Sequence, residues 1–210
     1  MPIVLDGKAI FIHIPKNAGT SIERAFGLQK PLNYPESKRR ELLYGRFDEH
    51  KAVQHYTPQE LIDHKLLTFE SYNQMFSFTF VRNPFDRFVS EYKYRCSKHS
   101  DFPLFKEFVF HVYKLYQEDG LYGFLWNHLV PQVDYVAEIQ GKGVDFIGRF
   151  ENLNQDFKEL CRTFDLGGLD LERHNISSSN KRYQEYFNQE TRQIIEQVYG
   201  NDLEVFGYSF

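Results

Sequence analysis

A lysine, a glycine and two hydroxyl residues within seven positions are the groups from which a chain builds an anion site. They stand together at Pro15-Lys16-Asn17-Ala18-Gly19-Thr20-Ser21. Lys16 adds a point charge, Thr20 and Ser21 add hydroxyls, and the small Asn17, Ala18 and Gly19 let backbone approach a ligand. A second group of this kind is Arg82-Asn83-Pro84-Phe85-Asp86-Arg87-Phe88-Val89-Ser90, again a cation followed by a hydroxyl. Together they are suited to holding two separated anionic groups. His55 lies between them in sequence, just before Thr57-Pro58-Gln59-Glu60.

Each group sits where a strand gives way to a helix. Ala9 to Ile14 is a short apolar, β-branched run, the pattern of a strand covered on both faces. Pro15 ends it. Thr20 followed by Glu23 matches a capping box, and Ile22, Ala25 and Phe26 continue at helical spacing. Phe76 to Val81 is a second buried strand. Asn83-Pro84 breaks it, with Pro84 at a tolerated first-turn position and Asp86 where a carboxylate suits the helix dipole. Phe85, Phe88, Val89 and Tyr92 follow as one helical face. Ligands of parallel α/β sheets collect at strand carboxyl ends, and helix N-termini favour anions. The first loop is not a Walker A loop, because Lys16 precedes Gly19 and no glycine opens it. Taken alone, that stretch is equally an ordinary strand-to-helix turn.

The two motifs together resemble the sulfotransferases that use 3′-phosphoadenosine-5′-phosphosulfate (PAPS), in the branch of the heparan and chondroitin carbohydrate sulfotransferases and their bacterial relatives. Residues 15–21 look like that family's 5′-phosphosulfate loop. Val81 to Ser90 looks like its 3′-phosphate motif, with Arg82 and Ser90 on the phosphate. Further similarity runs through Asp145 to Leu153, His174-Asn175-Ile176-Ser177 and Asp202 to Tyr208. The resemblance implies a P-loop-NTPase-like three-layer α/β/α fold with a central, mainly parallel sheet, in a single domain over residues 1–210. It implies PAPS as co-substrate, no metal, and an oligo- or polysaccharide acceptor. By position His55 resembles the family's general base, and an ordinary pKa near ~6.5 suits that role. Glu60 and His50 are the fallback bases. The segment Ser177 to Tyr183 corresponds to one that folds over the nucleotide, which makes Lys181, Arg182 and Tyr183 candidate contacts.

Composition agrees with one soluble globule: 41% hydrophobic and 26% charged over 210 residues. A net charge of −4 disfavours nucleic acid as a bulk partner. No apolar run is long enough to span a bilayer and no secretory signal is visible, so a cytoplasmic protein is expected. Cys96 and Cys161 are expected to be buried free thiols.

The rest of the chain reads as scaffold. The basic stretch Lys38-Arg39-Arg40 is a solvated surface or an acceptor-binding edge. A helix is expected within Ser97 to Glu118, ended by Asp119-Gly120, and further helices over Glu151 to Phe164 and from Asn188 to Tyr199. Val133 to Ile139 and Val144 to Ile147 read as a hairpin about Gly141-Lys142-Gly143. Trp126 to Gln132 resembles a His…Pro-Gln element near the family's acceptor site, or is simply a packed turn. A nucleotide-dependent kinase and a non-catalytic nucleotide- or glycan-binding module are the competing functions.

Overall fold

A computed structural model describes residues 1–46, 52–121, 124–167, 169–171 and 181–210. His50 and His174 to Ser177 lie outside the described residues. Among the described residues the strands are β1 (Ile3–Val4), β2 (Ala9–Phe11), β3 (Phe76–Val81) and β4 (Phe146–Arg149). The helices in chain order are α1 (Gly19–Ala25), α2 (Glu36–Glu41), α3 (Pro58–Asp63), α4 (Phe69–Gln74), α5 (Pro84–Lys98), α6 (Phe105–Asp119), α7 (Val133–Val136), α8 (Leu153–Thr163), α9 (Gln189–Val198) and α10 (Gly200–Phe206). None is long and apolar enough to cross a membrane.

The chain divides into two compact units. The first takes residues 1–81 and 134–175, the second residues 82–133 and 176–210. The first unit carries the sheet, in order β1-β2-β3-β4. β1 is antiparallel to β2, and β2, β3 and β4 are parallel, with Ile10 opposite Ser77 and Thr79 opposite Ile147. This is a mixed α/β fold with a mostly parallel sheet. Phe11, Ile22, Phe78, Phe80, Phe157 and Leu160 form its core, contributed by β2, α1, β3 and α8. β2 and β3 are buried along nearly their whole length, as their continuous apolar sequences require.

The second unit is helical. Its core joins α5, α6 and α9 through Phe85, Phe88, Phe108, Val109, Val112 and Ile195. Many of the chain's 21 phenylalanines meet here edge to face, as Phe85 with Phe210 at 4.9 Å and Phe105 with Phe187 at 5.0 Å between centroids. Such offset ring pairs add to plain burial.

Local signals place most helix ends as expected. Asn83 caps α5, with its Oδ1 accepting from Phe85 N–H at 3.0 Å, and Pro84 is the first helical residue. Thr57 and Glu60 form the capping box of α3, Asn188 caps α9, and Gly120 closes α6 at φ 69°.

Three expectations are corrected. Val133–Val136 is a helical turn, not a hairpin strand, because the Asp202 carboxylate accepts the Gln132 and Val133 N–H groups (3.0 and 2.9 Å) as a cap would. Of the expected hairpin only the Ile139–Lys142 bridge remains, and β4 pairs with β3 instead. Cys96 is exposed on α5, whereas Cys161 is buried; both are free thiols.

Candidate functional site

In the first unit the loop after β2 is tied down by buried side chains. Asn17, 1% exposed, donates through Nδ2 to the Phe80 carbonyl at 2.8 Å. From the other direction, Thr79 Oγ1 donates to the Ile12 carbonyl at 2.7 Å. These two bonds bind the loop to β3 at both of its shoulders. Lys16 (φ 73°) and Ala18 (φ 64°) both adopt left-handed backbone, and Asn17 between them does not. Non-glycine residues reach that region at a cost of roughly 1–2 kcal/mol each. Such alternation turns successive N–H groups to one side, making a concavity that suits an anion. Pro15 is buried, Lys16 and Ala18 are half-buried, and Thr20 is exposed at the first turn of α1.

The expected Thr20–Glu23 capping box does not form. Ala18 occupies the cap position, without a side-chain bond, and α1 begins at Gly19. Glu23 is taken by two distant partners. Its Oε1 lies 2.5 Å from His13 Nδ1, and its Oε2 accepts from the Tyr44 hydroxyl at 2.9 Å. Burial, with the Glu23 charge added, holds the Tyr44 phenol well above its ordinary pKa. His13 and Glu23 are almost fully buried. Gly19 also has a different reason to be glycine: a Cβ there would overlap the His13 ring at Nε2. Its smallness makes room for His13.

His55 belongs to the same neighbourhood. It ends a short 3₁₀ turn, Val53–His55, directly before the capped start of α3. Its ring meets the His13 ring edge to face, 4.6 Å between centroids. Its carbonyl accepts from the Tyr135 hydroxyl at 3.2 Å. Glu60 is committed to the α3 cap, where its Oε2 accepts from Thr57 N–H at 2.6 Å. Sequence reasoning passed over His13 and read Glu23 only as a helix cap. The only available hint was an ionisable residue inside an otherwise apolar strand sequence, Ile12-His13-Ile14.

The second unit holds the other anion motif. Arg82 follows β3 directly, and its Nε and one terminal nitrogen both contact Asp86 Oδ2, at 2.9 and 2.8 Å. Ser90 lies one turn beyond Asp86, so the two project from one face of α5. The backbone of Arg82 is fixed by Gln132. The Gln132 Oε1 accepts the Arg82 N–H at 2.9 Å, and its Nε2 donates to the Arg82 carbonyl at 2.8 Å. Gln132 is itself held by Asp202; both are fully buried. Burial pushes the Asp202 carboxyl up, against the opposing pull of Arg87 and of the N–H groups it accepts. Arg87 is buried too and donates to the carbonyls of Val130 (2.9 Å) and His128 (2.8 Å).

The three C-terminal candidates of this unit differ. The Tyr183 hydroxyl accepts from Asn83 Nδ2 at 3.4 Å, beside the start of α5. Lys181 Nζ stands 4.4 Å from the Tyr186 ring centroid, and Lys93 Nζ is 5.3 Å from the same ring. Arg182 has an 83% exposed side chain whose Nε lies 3.7 Å from Glu185 Oε1, and the same carboxylate oxygen accepts its backbone N–H at 2.9 Å. The structure thus gathers Lys16, its loop and His55 in the first unit, and Arg82, Ser90 and Tyr183 around α5 in the second.

A model described as "Sulfotransferase family" matches residues 5–209, nearly the whole chain. No curated protein and no solved structure shows significant similarity to it.

Proposed function

Since the chain belongs to the sulfotransferase family, we propose that it transfers the sulfuryl group of PAPS to a hydroxyl of a carbohydrate acceptor. The observation that most supports this reading is the loop at residues 15–21. Its two left-handed residues are braced by the buried Asn17 amide, so the concavity exists before any ligand arrives. A preorganised set of donors is what charge stabilisation in a transition state requires.

The roles follow from the chemistry. The acceptor oxygen attacks sulfur in line, a new S–O bond forms, and the bond from sulfur to the bridging oxygen of the 5′-phosphate breaks. Adenosine 3′,5′-bisphosphate leaves. Such transfer passes through a loose transition state, by analogy with phosphoryl transfer, so positioning and charge stabilisation dominate. Lys16 and the N–H groups of residues 17–21 stabilise charge on the sulfuryl and bridging oxygens, and Thr20 and Ser21 orient the 5′-phosphate. Arg82 and Ser90 hold the 3′-phosphate, and Lys181, Arg182 and Tyr183 contact the nucleotide. His55 takes the proton of the acceptor hydroxyl.

Titration with adenosine 3′,5′-bisphosphate, ADP and ATP, followed by thermal stability and binding heat, tests the donor. At about 100 times its dissociation constant a bound nucleotide adds ~2.7 kcal/mol of stability. Stabilisation by the 3′-phosphorylated nucleotide alone supports the reading. A preference for ATP would replace it with a kinase. Lys16→Ala is expected to lower turnover by ~10²–10³ with the fold intact, and near-wild-type turnover would remove Lys16 from the mechanism.

A further inference from the structure

Two sequence motifs have no part in that chemistry: Pro131-Gln132, and the Asp202 to Tyr208 segment near the C-terminus. The structure brings them together behind Arg82. Gln132 uses both ends of one amide on one residue, accepting from the Arg82 N–H and donating to the Arg82 carbonyl. This is the pairing an adjacent β-strand would supply, delivered by a side chain just past the end of β3. The amide has no freedom to turn over. Its Nε2 also lies 3.2 Å from Asp202 Oδ2, and its own backbone N–H donates to the same oxygen at 3.0 Å. A carboxylate acceptor fixes which end of the amide faces which group. Gln132 and Asp202 are both fully buried, so no solvent competes for these bonds. Arg87 faces Asp202 electrostatically and is itself locked onto two carbonyls, which holds the carboxylate's surroundings in place.

We infer that Gln132 and Asp202 are positioning residues for donor recognition: they set the backbone of Arg82 so that its guanidinium is aimed at the 3′-phosphate. This rests on the donor reading above. Asp202 is at one remove, orienting the amide that orients Arg82. On this reading Gln132 of the Pro-Gln element serves the nucleotide side of the reaction.

The test compares two nucleotides that differ only at the 3′ position, adenosine 3′,5′-bisphosphate and adenosine 5′-monophosphate, by calorimetry. Wild-type protein is expected to prefer the bisphosphate. Gln132→Met keeps the volume but removes both bonds. It is expected to cut bisphosphate affinity by roughly tenfold or more, the value of a hydrogen bond to a charged group, while leaving monophosphate affinity in place. Asp202→Asn is expected to move the same ratio in the same direction by less. Gln132→Asn, too short to span both Arg82 groups, provides the reading should the Met variant not fold. A merely structural role would weaken both nucleotides alike. An unchanged bisphosphate-to-monophosphate ratio in a folded variant overturns the inference while leaving the donor reading standing. Wild-type protein without a preference for the bisphosphate overturns both.

Discussion

Lys16 and Arg82 each lie just beyond a buried strand, yet the chain holds them by different means. Around Lys16 the backbone is bent into two left-handed residues and kept there by buried side-chain bonds: Asn17 onto Phe80, Thr79 onto Ile12, Glu23 onto His13 and Tyr44. Around Arg82 the backbone is unstrained. Asn83 and Pro84 start a helix in the ordinary way, and Gln132 completes the strand's pairing. The first arrangement stores strain in order to present N–H groups. The second uses regular structure to present one side chain. Strain is tolerable only where the surroundings over-determine it, so the first site should be the more fragile of the two.

Substitutions can break that contrast. The largest effect is expected from Glu23→Ala. It leaves His13 and the Tyr44 hydroxyl buried without their shared partner, and should cost about 3–5 kcal/mol in denaturant unfolding. A loss below ~1 kcal/mol would mean that the loop is not held from within. Next comes Asn17→Ala, which strands the Phe80 carbonyl and should cost about 1–3 kcal/mol. Gly19→Ala belongs in the same range, since overpacking against His13 costs ~1–3 kcal/mol. Its penalty should shrink when His13 is also made Ala, and additive losses in that double-mutant cycle would show that the ring is not the obstacle. On the Arg82 side, Asn83→Ala removes the cap together with the amide's bonds to the Tyr183 hydroxyl and the Ser209 carbonyl, and should cost about 1–2 kcal/mol. If it proved as damaging as Glu23→Ala, the two sites would not differ as described.

Acid sharpens the comparison without mutation. In the first unit burial works to raise the Asp145 carboxyl, but Lys142 and the Ser77 donors outweigh it and hold it below the ordinary value of 3.8. Its contribution to stability is therefore present above pH 3.8 and is lost as pH falls through its lowered folded value. Asp202 in the second unit is raised by burial. There the folded state binds the proton more tightly, so stability rises as pH falls from the raised value toward 3.8. Asp145→Asn should blunt the loss below pH 3.8, and Asp202→Asn should blunt the gain above it, both read from melting curves across pH. The smallest effect is expected at Arg182→Ala, within ~0.5 kcal/mol, because its side chain is largely in solvent.

How legible these regions were in sequence follows the distance between partners. Asn83, Thr57 with Glu60, Asn188 and Gly120 act on residues a few positions away, so residue type and spacing identified them. The parallel strands were readable for a related reason, since burial on both faces demands an unbroken apolar run. Glu23 misled because its local signature, three residues after Thr20, was outweighed by a histidine ten positions away and a tyrosine twenty-one away. Gln132 works across 50 residues to Arg82 and 70 to Asp202, and nothing at its own position announces either. The hairpin expectation failed for that same reason, as the cap of α7 comes from Asp202.

The Gln132–Arg82 pairing also sits at a particular place in the chain's connectivity. The polypeptide enters the second unit at Arg82 and leaves it after Val133, so these hydrogen bonds clasp the two ends of everything between. Residues 82–133 are in effect a long loop closed at its base. Closing such a loop becomes costlier by only about 0.6 kcal/mol for each doubling of its length. With the base fixed, the far turns of this segment can gain or lose residues while Arg82 keeps its bearing. The fold thereby separates the part of itself that can vary in length from the part that must not move.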